Sequence, residues 1–276
     1  MLRLSAEMGI RSLSAPDGTL LSVAEFGGAG APVVFVHGLA GHGGEWRTIA
    51  NLLGAGYRRV ALDLRGHGLS ERRPQDVSLE TQAGDVAKVI EHVAGGGPVV
   101  LVGQSLGGIL AFVTAARHPE LVQHLVVVEA SPAGPHLDAP GRIERWLHSW
   151  PRPFPDQRGA QAFFGGSPHA EGWVDGLEER ADGLWPRWDA DVLVAMMASA
   201  SARDWWDSWS AVRCPALLVR GDRGWIPEAE LVAMAHWLPS AKVVTVAGAG
   251  HDVHLDKSEE LVAAIAAFIG ALRASD

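Results

Sequence analysis

Six short apolar runs, APVVFVHG, RRVALDLRG, GPVVLVGQS, VQHLVVVEAS, CPALLVRGD and AKVVTVAGAGH, alternate with amphipathic stretches along this chain. Their Val and Leu content shows no polar alternation, which fits strands covered by helices on both faces. The strand–helix rhythm is that of an α/β fold built on a mostly parallel sheet. Ahead of these runs, GIRSLSAPDGTLLSVAEFG places a turn signal at Pro16-Asp17-Gly18 between two extended segments. That reads as an antiparallel hairpin on the sheet edge. With it the sheet has eight strands, VQHLVVVEAS being the sixth and CPALLVRGD the seventh.

The rhythm breaks between about Ala133 and Asp204, beginning with the Pro- and Gly-rich PAGPHLDAPGRIERWLHSWPRPFPDQRG. Helical-looking pieces follow, AEGWVDGLEERADGLW and DADVLVAMMASASARDWW. Eight of the eleven tryptophans fall between Trp146 and Trp209, so this region has the means to form an aromatic core of its own. It is expected to be a helical cap, residues 133–204, inserted after the sixth strand of a core made of residues 1–132 and 205–276.

A formal charge of -9 disfavours a nucleic-acid or anionic-membrane partner, since both are recruited by Lys and Arg. The single cysteine, Cys214, precludes an intramolecular disulfide and suits a reducing compartment. MLRLSAEMGIRSL lacks the apolar stretch and cleavage site of a signal peptide, and no run of about 18 apolar residues suggests a membrane span. A cytoplasmic enzyme, monomeric or homodimeric, is the expectation.

The chemistry concentrates at Gly103-Gln104-Ser105-Leu106-Gly107-Gly108, between the strand VVLV and the apolar helix GGILAFVTAARH. A sharp strand-to-helix turn would lift Ser105 to the carboxyl edge of the sheet, at a helix N-terminus where a developing anion is stabilised. His37-Gly38-Leu39-Ala40-Gly41 ends the third strand, and its glycines allow backbone amides to face the serine. The N–H groups of Leu39 and Leu106 are candidates for an oxyanion hole. Gly248-Ala249-Gly250-His251 follows the last strand and brings His251 to the same edge as a general base, with His254 as the alternative.

These residues, together with Asp63-Leu64-Arg65-Gly66-His67-Gly68, make the chain resemble the α/β-hydrolase fold superfamily. The resemblance implies a Ser–acid–His triad, a two-amide oxyanion hole and a pocket between sheet and cap, with the Asp63–Gly68 stretch a structural turn. A serine at the elbow also sets the chain apart from similar dehalogenases and epoxide hydrolases, which use aspartate there. Pocket-lining candidates are His42, Gln104, Trp225, Trp146 and Trp185.

The triad acid is the point of departure. In most relatives it stands three residues after the glycine ending the seventh strand; that glycine is Gly221 here, and position 224 is Gly224. Two carboxylates could take its place. Asp222 lies two residues earlier, about 6.6 Å along an extended chain, and is too deep unless the loop bends. Glu129 ends the sixth strand, 24 residues after Ser105, where some members of the superfamily carry their acid. A glutamate directly after LVVV is costly to bury without a partner or a function. Glu129 is therefore placed first, with Asp222 as the alternative, and the empty position 224 leaves space beside His251 that Trp225 can help fill.

With no metal or nucleotide motif, no cofactor is expected. The leading expectation is hydrolysis of a small carboxylic ester or lactone, apolar or aromatic, through an acyl-enzyme. C–C bond hydrolysis of a diketone-like substrate, or a non-catalytic ligand receptor on the same fold, are the alternatives.

Overall fold

The computed structural model describes residues 9–95, 97–133, 139–166 and 168–273. Residues 1–8, read above for a leader, and residues 134–138, in the Pro- and Gly-rich start of the insertion, lie outside that description. The strands are β1 (Gly9–Ser14), β2 (Leu20–Glu25), β3 (Pro32–Val36), β4 (Arg58–Asp63), β5 (Val99–Gln104), β6 (Val122–Val128), β7 (Glu178–Arg180), β8 (Gly183–Trp185), β9 (Ala216–Gly221) and β10 (Lys242–Val246). Eight of them form one sheet in the order β1-β2-β4-β3-β5-β6-β9-β10. The β1–β2 and β2–β4 pairs are antiparallel and all others parallel. β9 is the seventh strand of this sheet, as the sequence leads one to expect.

The helices are α1 (Arg47–Leu53), α2 (Leu79–Ala94), α3 (Leu106–Arg117), α4 (Ala139–Ser149), α5 (Gln157–Phe163), α6 (Pro168–Asp175), α7 (Ala190–Ala200), α8 (Trp206–Ser210), α9 (Glu228–Trp237), α10 (Val253–Asp256) and α11 (Ser258–Arg273). Alternate side chains of the central strands enter two separate cores. Val34, Val36, Leu101, Leu125 and Val127 pack with residues of α2 and α3. Val33, Phe35, Val100, Val102, Val126 and Val128 pack on the other face with residues of α1 and α11. Both faces are dry, so each Val or Leu contributes about 1.5–3 kcal/mol by leaving water, whichever way it points. That is the physical reason the strand sequences carry no polar alternation. No helix among the described residues is long and apolar enough to cross a membrane.

The segment between β6 and β9 holds α4 to α8 and a two-stranded hairpin, β7–β8. The hairpin corrects the expectation of helix throughout AEGWVDGLEERADGLW. The helix stops at Asp175, and Gly183 takes a φ of 137°, which no helix tolerates. A Cβ at Gly183 would also lie 2.4 Å from the Phe154 carbonyl oxygen, so the close pairing of Phe154 with Leu184 needs glycine there. The segment has its own core of Leu147, Trp150, Phe154, Leu177, Trp188 and Leu193. It is tied to loops at the carboxyl ends of parallel strands. His42 after β3 bonds Gly172, Arg72 after β4 pairs with Glu178 at 2.6 Å, and Asp256 after β10 meets His169 at 3.0 Å.

Candidate active site

β5 passes into α3 through Ser105, whose φ of 53° and ψ of -121° are strained for any residue with a side chain. The turn closes because its neighbours are glycine. A Cβ at Gly103 would lie 2.1 Å from the Gly107 carbonyl oxygen, and one at Gly107 would lie 2.3 Å from that of Val36. Ser105 is partly exposed and stands at the N-terminus of α3. Its hydroxyl makes no hydrogen bond among the described residues.

The loop facing it is braced by two histidines. Leu64 N–H donates to His37 Nε2 at 3.0 Å, which leaves the His37 Nδ1–H to donate to the Gly38 carbonyl at 2.7 Å. Ala40 N–H likewise donates to His67 Nε2 at 3.1 Å, and His67 Nδ1–H donates to the Arg65 carbonyl at 3.1 Å. The Asp63–Gly68 stretch is thus a structural turn whose His67 shapes the loop of residues 37–41. Gly41 N–H closes that loop onto the Gly38 carbonyl at 3.2 Å. These bonds use the amides of Ala40 and Gly41, while the N–H groups of Leu39 and Leu106 have no acceptor among the described residues.

Both bracing histidines must stay neutral to accept these bonds. Burial, and then repulsion from His37, holds His67 down to about 3 from an ordinary 6.5. Burial lowers His37 as well. A depressed folded value means the unfolded chain binds the proton first. The stabilisation is therefore complete above pH 6.5 and is lost as pH falls toward the folded value. His67 adds a slope that approaches about 1.4 kcal/mol per pH unit well below 6.5, and His37 acts in the same direction. Urea midpoints measured between pH 6.5 and 5 should fall accordingly, and His67→Gln should give a shallower slope. An unchanged slope in that variant would show that His67 does not titrate on unfolding.

Strand β6 ends beside the elbow: Ser105 N–H donates to the Val128 carbonyl at 2.9 Å, and Glu129 N–H donates to Val219 on β9 at 2.8 Å. Glu129 then turns left-handed, at φ 48°, and its side chain enters the loop after β9. Three N–H groups converge on its buried carboxylate. Gly221 N–H reaches Oε1 at 2.8 Å, Trp225 N–H reaches Oε2 at 2.8 Å, and His251 Nδ1 faces the same Oε2 at 3.2 Å. This fixes the proton on Nδ1 and leaves Nε2 of the imidazole as an acceptor. A Cβ built on Gly224 would lie 2.1 Å from Oε1 and 2.4 Å from Oε2. The space left by glycine at 224 is therefore filled by the Glu129 carboxylate. Trp225 stacks its indole on His251.

Asp222 is directed elsewhere, its Oδ1 accepting from Gly248 N–H at 2.8 Å. His254 is buried against Trp46 and faces Glu45 at 3.3 Å. Burial opposes the charge on Glu45, but His254, then His42, hold its carboxyl below the usual range. Several pocket candidates have other partners. Gln104 is 2% exposed and donates to the His251 carbonyl at 3.0 Å, so it anchors the histidine loop instead of facing a pocket. His42 is half-buried, neither solvated nor free, because Nδ1 accepts from Gly44 and Nε2 bonds Gly172. Trp146 packs edge-on against Trp150 and Trp173, and Trp185 bonds Asp182 beneath Arg180. Burial pushes the Cys214 thiol up to about 11, in keeping with a structural cysteine. Asp252, not singled out in the sequence, has its carboxyl raised by burial beside His251, within 3.4 Å of Gln104 Nε2. The only signal for it was its place directly after GAGH.

A mostly parallel sheet with a strained serine at the β5–α3 elbow, a histidine after the last strand and a carboxylate bonded to it defines the scaffold class of a nucleophile-elbow hydrolase. Residues 31–258 match the α/β hydrolase fold family, and the chain belongs to it. It is 28% identical over 253 residues to a 2-(acetamidomethylene)succinate hydrolase of Mesorhizobium japonicum, covering 88% of this chain and 90% of that one. It is 30% identical over 258 residues to an esterase of Mycobacterium tuberculosis, covering 88% and 84% of the two chains. Among solved structures, that of E-2-(acetamidomethylene)succinate hydrolase superposes with a TM-score of 0.87 at 26% identity. It covers 95% of this chain and 99% of the other.

Proposed function

We propose that this protein is a serine hydrolase that cleaves a small carboxylic ester or lactone through an acyl-enzyme. The observation that carries the reading is the Glu129–His251 hydrogen bond, made at the sheet edge where Ser105 is held in its strained turn. His251 Nε2 takes the proton of Ser105 Oγ as that oxygen attacks the substrate carbonyl. The N–H groups of Leu39 and Leu106 receive the oxyanion, each worth roughly 3–4 kcal/mol in the transition state. Collapse expels the alkoxide, which recovers the proton from the imidazolium. Water then attacks the acyl-enzyme with His251 again as base, and Glu129 stabilises the imidazolium in both halves. Residues 133–204 act as the cap over a core of residues 1–132 and 205–276. Leu39 packs against both the sheet core and the core of the inserted segment, which supports an apolar or aromatic acyl group between them.

The reading is tested by covalent labelling. A fluorophosphonate should add one phosphonyl group per chain, mapped by peptide mass to Ser105, and His251→Ala should slow that labelling. Native protein that takes up no label would sink the proposal. The substrate panel is p-nitrophenyl esters of increasing acyl length, lactones of increasing ring size and, because of the relative's name, an acetamido compound. A β-diketone beside them separates C–C cleavage from ester cleavage by product analysis.

A further inference from the structure

The loop with no side chain at 224 carries, one residue on, the most exposed large hydrophobic side chain among the described residues. Trp225 leaves 67% of its surface open. Its indole nevertheless lies flat on the His251 imidazole, with ring centroids 3.9 Å apart and planes 11° from parallel. An indole left mostly in water forgoes most of the burial that usually places tryptophan. The main chain of the same residue makes a second link, since Trp225 N–H donates to Glu129 Oε2, the oxygen facing His251 Nδ1. One residue therefore touches both the acid and the base.

We propose that Trp225 is a positioning residue for His251, its indole fixing the plane of the imidazole while its main chain fixes the carboxylate that orients it. This rests on the reading of His251 as the general base. The hydrogen bond to Glu129 holds the ring at Nδ1 and the covalent bond to Cβ holds it at Cγ, which still leaves its plane room to tilt through correlated changes of χ1 and χ2. Flat contact over one face removes that freedom, so Nε2 keeps one direction. The imidazolium formed during turnover is a planar cation against a π face, a favourable pairing. Stacking also shields that face of the ring from water.

The base serves acylation and deacylation alike, so a loosened ring lowers kcat and leaves KM nearly unchanged. Misplacement by about 1 Å can cost on the order of 100-fold. Trp225→Phe, Trp225→Leu and Trp225→Ala should be compared with p-nitrophenyl acetate. The Phe variant keeps a flat π face and should stay within about threefold of native kcat. The Leu and Ala variants should lose about 10- to 100-fold in kcat with KM within about twofold. Three results would overturn the proposal: native kcat in Trp225→Ala, a Phe variant as slow as Ala, or a loss carried by KM with kcat intact. The last would make the indole a wall of the substrate site.

A readout independent of turnover is the proton NMR signal of the His251 ring. The indole ring current should move it upfield in native protein, and Trp225→Leu should abolish that displacement; a signal that does not respond also overturns the proposal. If native turnover survives Ser105→Ala, the serine-hydrolase reading fails instead, and the NMR comparison still decides whether Trp225 holds the ring.

Discussion

Glu129→Gln lowers kcat for an activated ester by about 10³- to 10⁴-fold, while Asp222→Asn stays within about threefold of native. The asymmetry follows from what each side chain touches. The Glu129 carboxylate accepts from Gly221, Trp225 and His251, all three of them donors. A glutamine amide offers one oxygen and one NH₂ to those same positions. If the oxygen faces Gly221, the NH₂ is set against Trp225 N–H and His251, and the imidazole is driven into the tautomer with its proton on Nε2. Such a ring cannot accept the serine proton. If the amide is flipped, the NH₂ opposes Gly221 N–H and the loop after β9 is disturbed. Asp222→Asn keeps an oxygen for Gly248 N–H and so preserves the side-chain hydrogen bond, while the main-chain bond from Asp222 N–H to Val246 is unaffected. KM should change little in either variant, because neither side chain is placed to touch substrate. Native-like kcat in Glu129→Gln with collapse in Asp222→Asn would reverse the assignment.

The parts of this molecule legible in the sequence are those in which chemistry and backbone geometry impose residue types locally. The buried strands had to be apolar on both faces, and Ser105 had to stand among glycines because the elbow leaves no room for a Cβ at 103 or 107. Gly224 was legible as a departure but not as a contact. That a side chain arrives from β6 to fill its space depends on the adjacency of β6 and β9, which no local pattern encodes. The same limit applies to Gln104 and His42, whose partners at His251 and Gly172 lie more than a hundred residues away. The hairpin β7–β8 was missed for a different reason. GLEERADGLW is rich in good helix formers, and only the Asp182-Gly183 turn and the pairing with Phe154 override that propensity.

The packing of Glu129 into the space at 224 gives the second large expected effect, a transfer of the acid from one strand to its neighbour. Glu129→Ala alone should be as inactive as Glu129→Gln. Adding Gly224→Asp to it should raise kcat at least about tenfold above Glu129→Ala. The backbone at 224 does not have the positive φ that would exclude a side chain, and the three atoms nearest to an added Cβ all belong to the carboxylate of Glu129. The two oxygens of an aspartate lie about 2.4 Å from its own Cβ by covalent geometry. The Glu129 oxygens lie 2.1 and 2.4 Å from the Cβ position at 224, so the oxygens of an aspartate can fall near theirs, with its carboxyl carbon entering from the opposite side of the oxygen pair. The donors it needs, Gly221 N–H, Trp225 N–H and His251 Nδ1–H, are already there. In the presence of Glu129 the same substitution should be harmful, since two carboxylates would compete for one set of donors and for one volume. Gly224→Ala separates the two effects, adding the Cβ and no acid. It should lower kcat and thermal stability by displacing Glu129, and Glu129→Ala should relieve the crowding without restoring turnover. A double variant no faster than Glu129→Ala, in protein shown by circular dichroism to be folded, would mean that His251 needs its acid from β6 and that position 224 is not interchangeable with it.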